Sequence, residues 1–190
     1  MARFTPDQQP TPQPPPVEGS ITDVLAVLAS ARARDGMAGL RSFVAEALGE
    51  KATESEASEA AELAWEIIES VPLIILHARS EADTKGIADL VAPVLSTAEA
   101  YYLHPVDLIP EMTQGLAGLL DDSYLVMRLL EHLCRSPEPL FDIDLDYPLH
   151  FLGRLLGPDI SKKLDELAKI TLLNTVDGLT RFEADDFHHA

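Results

Sequence analysis

Apolar residues recur every three or four positions along most of the chain after residue 20. Stripes of this kind run through residues 24–28, 40–48 and 125–133. The spacing matches the α-helical period of about 3.6 residues, and β-branched runs of alternating polarity, which are typical of strands, are absent from the sequence. Helices this short need tertiary contacts to be stable. We therefore predict an all-α fold, a compact bundle of about six or seven helices.

Helix-breaking and capping residues set the predicted boundaries. Ser20 and Asp83 are the expected N-terminal caps of the first and fourth helices. Pro72 should kink or split the third helix, whose apolar stretch 71–76 should be deeply buried. The core-facing stripe of the last helix is expected at Ile160, Leu164, Leu167 and Ile170. The predicted helices span residues 20–33, 40–48, 54–79, 84–103, 121–135, 148–156 and 159–179.

Composition divides the chain into two tails and one domain. Residues 1–19 contain six of the 14 prolines and should form a disordered tail, which also fits the loose PxxP pattern of SH3-type ligands. Residues 20–182 should form one helical domain with a hairpin, 84–135, at its centre, and 183–190 a frayed acidic and histidine-rich tail. Neither an apolar leader nor a stretch of about 20 apolar residues is visible, which predicts a cytoplasmic protein.

The net charge of −18 disfavours nucleic acids and anionic membranes as partners. Eight glutamates and one lysine lie between residues 46 and 69. Four of these glutamates share one helix face by their spacing, namely Glu59, Glu62, Glu66 and Glu69. This face is either a solvated surface or a docking site for a basic protein partner. Self-association is a further alternative.

One stretch carries a recognisable motif, YYLHPVDLIP at 101–110, followed by GLLDD at 118–122. A residue that precedes proline is disfavoured in a helix, so the fourth helix should end at His104. Asp107 suits a tight turn, because its short side chain accepts nearby backbone N–H groups. The two apolar residues after it should fill the core.

The second half of the motif should lead into the next helix. Pro110 fixes the direction in which the chain leaves the turn, and Gly118 permits a close approach or a positive φ. Asp121 or Asp122 then caps the following helix, whose positive N-terminal end suits both acids. We expect a helical hairpin with a structured, buried connector.

These residues resemble the YkvA-like family of bacterial domains of unknown function over residues 98–133. The family pattern runs small-Pro-x-Asp-Leu-Ile-Pro-Asp, then Gly, then Asp-Asp. The chain fits it at Pro105, Asp107, Leu108, Ile109, Pro110, Gly118, Asp121 and Asp122. It departs from the pattern at Glu111, where the family has Asp, and in a longer connector. The resemblance implies an all-helical module, linked to membranes in some relatives, and implies no reaction.

Two interpretations of the motif carboxylates remain open. The first is a site for a divalent cation, Mg²⁺, Ca²⁺ or Mn²⁺, or a hydrolytic centre, because oxygen-rich clusters suit these ions. Its candidate ligands are His104, Asp107, Glu111, Asp121 and Asp122. The second is that the carboxylates cap helix ends, with no metal or other cofactor.

No catalytic residue is predicted, because the sequence lacks a nucleophile motif, a phosphate-binding loop and a metal-binding helix signature. Cys134 is expected to be a small core residue. Residues 142–146 begin like an EF-hand loop, but Tyr147 and Gly153 occupy positions that require Gly and Glu. The sequence therefore predicts a non-catalytic protein-interaction or adaptor module. A carboxylate-based metal protein is the alternative, and membrane-peripheral association is a third interpretation.

Overall fold

Seven α-helices and one short 3-10 turn make up nearly all of the described chain, in which no strand occurs. The computed structural model describes residues 21–103, 116–135, 139 and 141–186, with side chains except at 35 and 176–186. The helices are α1 (Ile21–Asp35), α2 (Ala38–Leu48), α3 (Glu54–Lys85), α4 (Ala88–Leu103), α5 (Leu120–Cys134), α6 (Asp146–Leu156) and α7 (Pro158–Asp186), and the turn is Ala117–Leu119. The predicted all-α bundle is confirmed.

Two capping motifs set the bounds of α3. At its start, the Thr53 hydroxyl oxygen accepts a hydrogen bond from the Glu56 N–H at 3.2 Å, and the Glu56 carboxylate accepts one from the Thr53 N–H at 2.7 Å. At its end, Gly86 adopts a left-handed φ of 69°, which is least costly for glycine. Asp83 therefore lies inside α3, and the prediction that it caps the fourth helix is wrong, because residues 79–85 contain no Gly or Pro and the helix continues to Gly86.

Pro72 lies inside α3 without splitting it. Pro72 and Ile75 are buried, but Leu73 is 64% and Leu76 is 39% exposed, so the prediction that all of 71–76 is buried is wrong. Successive helical residues point about 100° apart. An apolar run therefore cannot bury every member when neighbouring helices cover only part of the helix surface.

Helix α5 lies at the centre of the core, where it packs against α3, α4, α6 and α7. Its fully buried apolar side chains include Leu120, Leu125, Val126, Met127, Leu129 and Leu130. Burying an aliphatic side chain of this size contributes about 1.5–3 kcal/mol relative to leaving it exposed. The second helix of the motif hairpin is thus the element on which α3, α4, α6 and α7 meet.

Helix α7 packs on α5 through a stripe that differs from the predicted one. Leu164, Ala168 and Thr171 are buried, and the Thr171 hydroxyl lies 2.8 Å from that of Tyr101 in α4. Ile170, which the sequence pattern placed in the core, is 45% exposed because the contact face passes through 164, 168 and 171 instead. The helix also continues to Asp186, beyond its predicted end near 179. The bounds of α1, α2, α5 and α6 lie within a few residues of the predicted ones.

Candidate functional site

Most of the predicted motif lies outside the described residues. This is true of His104, Pro105, Asp107, Leu108, Ile109, Pro110 and Glu111, and also of Ser20 and the tail 1–19. The described part consists of Gly118, half-buried in the 3-10 turn, and of Asp121 and Asp122. These three residues lie where the chain enters the second helix of the hairpin.

Asp121 and Asp122 are buried in the first turn of α5, with 4% and 2% of their surface exposed. The N-cap of this helix is Leu119, which makes no side-chain capping bond, so the prediction that one of the two aspartates is the cap is wrong. The 3-10 turn runs directly into α5 and places the helix start ahead of the pair. Both side chains take part in interactions within the protein and lie near the positive end of the helix.

Two buried hydroxyl groups tie α4 to α5 beside this pair. Ser123 Oγ donates to the Leu119 carbonyl, so the Tyr102 hydroxyl, 2.6 Å away, donates to Ser123. Burial raises the pKa of Tyr102 far above its usual value; the Ser123 hydrogen bond opposes this shift, and the nearby charge of Asp122 adds to it. Tyr102 is therefore a neutral donor that joins the two helices, not a base.

Glu99 is a further buried carboxylate of α4, which the sequence patterns did not single out. It is 2% exposed, and its Oε1 accepts a hydrogen bond from Arg79 Nη2 at 2.8 Å. Arg79 belongs to α3 and is 42% exposed, so this ion pair joins α3 to α4 at the edge of the core. In the sequence, Glu99 stands out as an acidic residue between two alanines of an apolar helix. This pattern indicates a special position but does not identify Arg79 as the partner of Glu99.

Arg128 is the centre of a polar network on the outer face of α5. Its Nε lies 2.7 Å from Asp165 of α7, and its Nη1 donates to Glu131 at 2.8 Å and its Nη2 to the Tyr124 hydroxyl at 3.0 Å. The Tyr124 hydroxyl in turn donates to Asp165 at 2.9 Å. Burial alone would lower the pKa of Arg128, but the bonds with Glu131 and Tyr124 hold it above its usual value. Arg128 is therefore a fixed cation.

Glu131 connects this network to a second arginine. It is 5% exposed, and its Oε1 lies 2.8 Å from Nη2 of Arg135, which also pairs with Asp146 at the start of α6. The hydrogen bond with Asp146 contributes most to raising the pKa of Arg135, followed by the charge of Glu131. A carboxylate buried between two guanidinium groups is compensated, whereas removing its partners would leave a charge in the core.

These residues line an open cleft of about 900 Å³ between α5, α6 and α7. The α6 wall of the cleft carries four exposed side chains, Asp146, Tyr147, His150 and Arg154. Gly153 lets α6 come close to α5, because a Cβ at this position would lie 3.3 Å from Tyr124 Cε2. The cleft is accordingly shaped by the packing of α6 on α5.

One signal for this cleft was present in the sequence. Tyr124, Arg128, Glu131 and Arg135 are spaced by four, three and four residues, which places them on one face of a helix. Polar residues at this spacing on an otherwise apolar helix indicate a connected network. No spacing rule identifies Asp165, because it lies on another helix, 41 residues from Tyr124.

The predicted acidic face is exposed on α3. Its members Glu59, Glu62, Glu66 and Glu69 all lie at the surface. At its border, Arg32 of α1 approaches Glu69 at 3.8 Å, and Arg41 of α2 approaches Glu62 at 3.7 Å. Two arginines border four glutamates, so they neutralise the charge of the face only in part. Exposed pairs of this kind are typically worth about 0–1 kcal/mol.

Three further observations bear on chemistry in the described part of the chain. No group of three or more His, Cys, Asp or Glu side chains is arranged there to hold a metal ion. Cys134 is half-buried, and burial, followed by the charge of Glu131, raises the pKa of its thiol to about 11. No described helix combines the length and the apolar character that a bilayer crossing requires.

Comparison with known proteins gives one match. Residues 94–127 match a family model described as a protein of unknown function (DUF1232). Neither a curated protein nor a solved structure matches significantly. The matched segment includes Glu99, Tyr102 and both buried aspartates, and it agrees with the resemblance to YkvA-like domains drawn from the sequence. Residues 94–127, which include parts of α4 and α5, are therefore similar to a family of unknown function.

Proposed function

We propose that this protein is a non-catalytic interaction module of the cytoplasm that binds a basic protein partner through the glutamate face of α3, defined as Glu59, Glu62, Glu66 and Glu69. The observation that carries the proposal is the exposure of all four glutamates on one side of a single 32-residue helix. A continuous helix holds its charges at fixed spacing. Electrostatic attraction from such an array raises association rates and selects partners of complementary charge.

Neither Tyr124 nor Cys134 is activated for catalysis. Burial, the largest influence, raises the pKa of Tyr124 and raises that of the Cys134 thiol to about 11, whereas an activated nucleophile or general base needs a lowered pKa.

Affinity capture of the full chain from its native host tests the proposal. In the face variant, all four glutamates become glutamine, which has a similar helix propensity. The matched control variant is E46Q/E50Q/D83N/E166Q, which neutralises four exposed acids away from this face. We expect a basic protein to co-purify with the wild type and the control, and its recovery to fall about tenfold with the face variant. A protein that elutes alone and monomeric, or a control that loses the partner equally, would contradict the proposal.

A divalent-cation site at the hairpin is a second candidate, favoured by the burial of both Asp121 and Asp122. Two adjacent buried carboxylates are expensive unless nearby groups compensate their charge, and a cation does so directly. Elemental analysis and thermal unfolding with Mg²⁺, Ca²⁺, Mn²⁺ or EDTA are the test. A bound ion and a melting shift that D121N abolishes would support this candidate, whereas no ion and unchanged melting would exclude it.

A further inference from the structure

The cleft between α5, α6 and α7 is separate from the glutamate face, since no residue of α3 lines it. Its volume of about 900 Å³ lies within the usual range of small-molecule sites, about 300–1,000 Å³. Three of the 14 Lys and Arg side chains of the chain line it, namely Arg128, Arg135 and Arg154. Three acids also line it, so the cleft is formally neutral on a protein whose net charge is −18.

The acids of the cleft are already engaged by the protein. Glu131 and Asp146 pair with Arg135, and Asp165 pairs with Arg128 while accepting the Tyr124 hydroxyl. These carboxylates hold the two arginines in place and leave little negative charge to attract a cation. The groups that remain for a ligand are mainly N–H and O–H donors.

Arg154 is the cation of the cleft that pairs with no acid among the described residues. It is exposed on α6. His150 lies one helical turn before it and also lines the cleft, so the two side chains share one face of α6. Tyr147, 63% exposed, adds a flat apolar surface beside them. Planar guanidinium groups bind carboxylates and phosphates through paired hydrogen bonds.

We propose that this cleft binds a small organic oxyanion, with Arg154 as the principal contact and with His150 and the Nε and Nη1 groups of Arg135 as further donors. Phosphate monoesters and polycarboxylates share the chemistry that such a donor set recognises. Glu131 and Asp146 already hold Arg135, which reduces the entropic cost of ordering that part of the site when the ligand binds.

Calorimetric titration of the full chain tests this inference with inorganic phosphate, a nucleoside monophosphate and citrate, and with the uncharged nucleoside as the reference. The test variant is Arg154→Gln. The matched control is Lys163→Gln, which removes one exposed positive charge of α7 outside the cleft. Thermal melting verifies that both variants fold.

We expect the wild type and the Lys163 variant to bind at least one oxyanion, and the Arg154 variant to bind it at least about tenfold more weakly. Preference between citrate and the phosphates identifies the ligand class. The inference is overturned if no oxyanion binds at millimolar concentration, if the Arg154 variant binds as the wild type does, or if both variants lose affinity equally. None of these outcomes bears on the α3 face.

Discussion

At the scale of single residues, the described core is distinguished by carboxylates that arginines hold in place. Glu99 and Glu131 are at most 5% exposed, and each lies 2.8 Å from a guanidinium nitrogen. The arginine compensates the cost of removing the negative charge from water. Glu99 belongs to the segment that matches the family. Its ion pair with Arg79 attaches the hairpin to α3.

Replacing Arg79 by methionine should destabilise the fold by about 2 kcal/mol, because Glu99 then lacks its partner while Arg79 itself is partly solvated. The control is R41M, the same change in the exposed pair at 3.7 Å, which should alter stability by less than about 0.5 kcal/mol. Urea unfolding measures both, and E99Q should recover part of the loss in the R79M background. Equal effects of R79M and R41M would show that Glu99 does not depend on this arginine.

Cys134 should react slowly with alkylating reagents. Its thiol has a pKa raised to about 11 by burial and by Glu131, so at pH 8 its thiolate fraction is roughly a hundredfold below that of an ordinary cysteine. The alkylation rate of the folded protein should keep rising about tenfold per pH unit up to about pH 11, whereas the rate of an ordinary cysteine levels off near its pKa of about 8.5. A rate at pH 8 equal to that of the unfolded chain would contradict the assigned environment.

At the scale of elements, α3 shows where local sequence signals succeed and where they fail. Its start was predicted at 54, where a capping box is formed, but its end was placed near 79 instead of at Lys85. The polar residues before Gly86 resemble a linker by composition, although they continue the helix. The positions of Leu73 and Leu76 depend on which neighbours cover the helix, and local spacing does not contain that information.

Substitution T53A should cost about 1 kcal/mol, because the N-cap oxygen is lost. The hydrogen bonds from the Thr53 N–H and hydroxyl lower the pKa of Glu56. The folding stability that these bonds contribute is therefore present above the ordinary glutamate pKa and is lost as the pH falls through the lowered pKa. The stability difference between T53A and the wild type should therefore narrow in acid, as urea unfolding at several pH values can show. T84A, in the last turn of the same helix, should be nearly neutral.

The contact between α6 and α5 predicts an unusual response to Gly153→Ala. Such a change within a helix normally stabilises by about 1 kcal/mol. Here the new Cβ would lie 3.3 Å from Tyr124, whose hydroxyl is held by Arg128 and Asp165, so we expect no gain or a small loss. In a Y124A background the usual gain should return. A double-mutant cycle measures this coupling, and equal effects in both backgrounds would disprove the packing constraint.

At the scale of the whole molecule, local periodicity is enough to predict three features from the sequence. These are the helical class, the α4–α5 hairpin and the surface position of the glutamate face. The cleft could not be predicted in this way, because it depends on the relative positions of α5, α6 and α7. Asp165 meets Arg128 only after α7 has packed on α5. The acids of the described chain thus include exposed ones, such as the glutamate face of α3, and buried ones, such as Glu99 and Glu131, which pair with arginines.

The central claim is that the glutamate face of α3 binds a basic partner. Its most direct test is a nuclear magnetic resonance titration of the isotope-labelled full chain with a lysine-rich peptide at moderate ionic strength. The largest amide shifts should cluster in residues 59–69 and beside Arg32 and Arg41, should vanish in the four-glutamine face variant, and should persist in the charge-matched control. Shifts spread evenly over the acidic surface, or retained in the face variant, would contradict it.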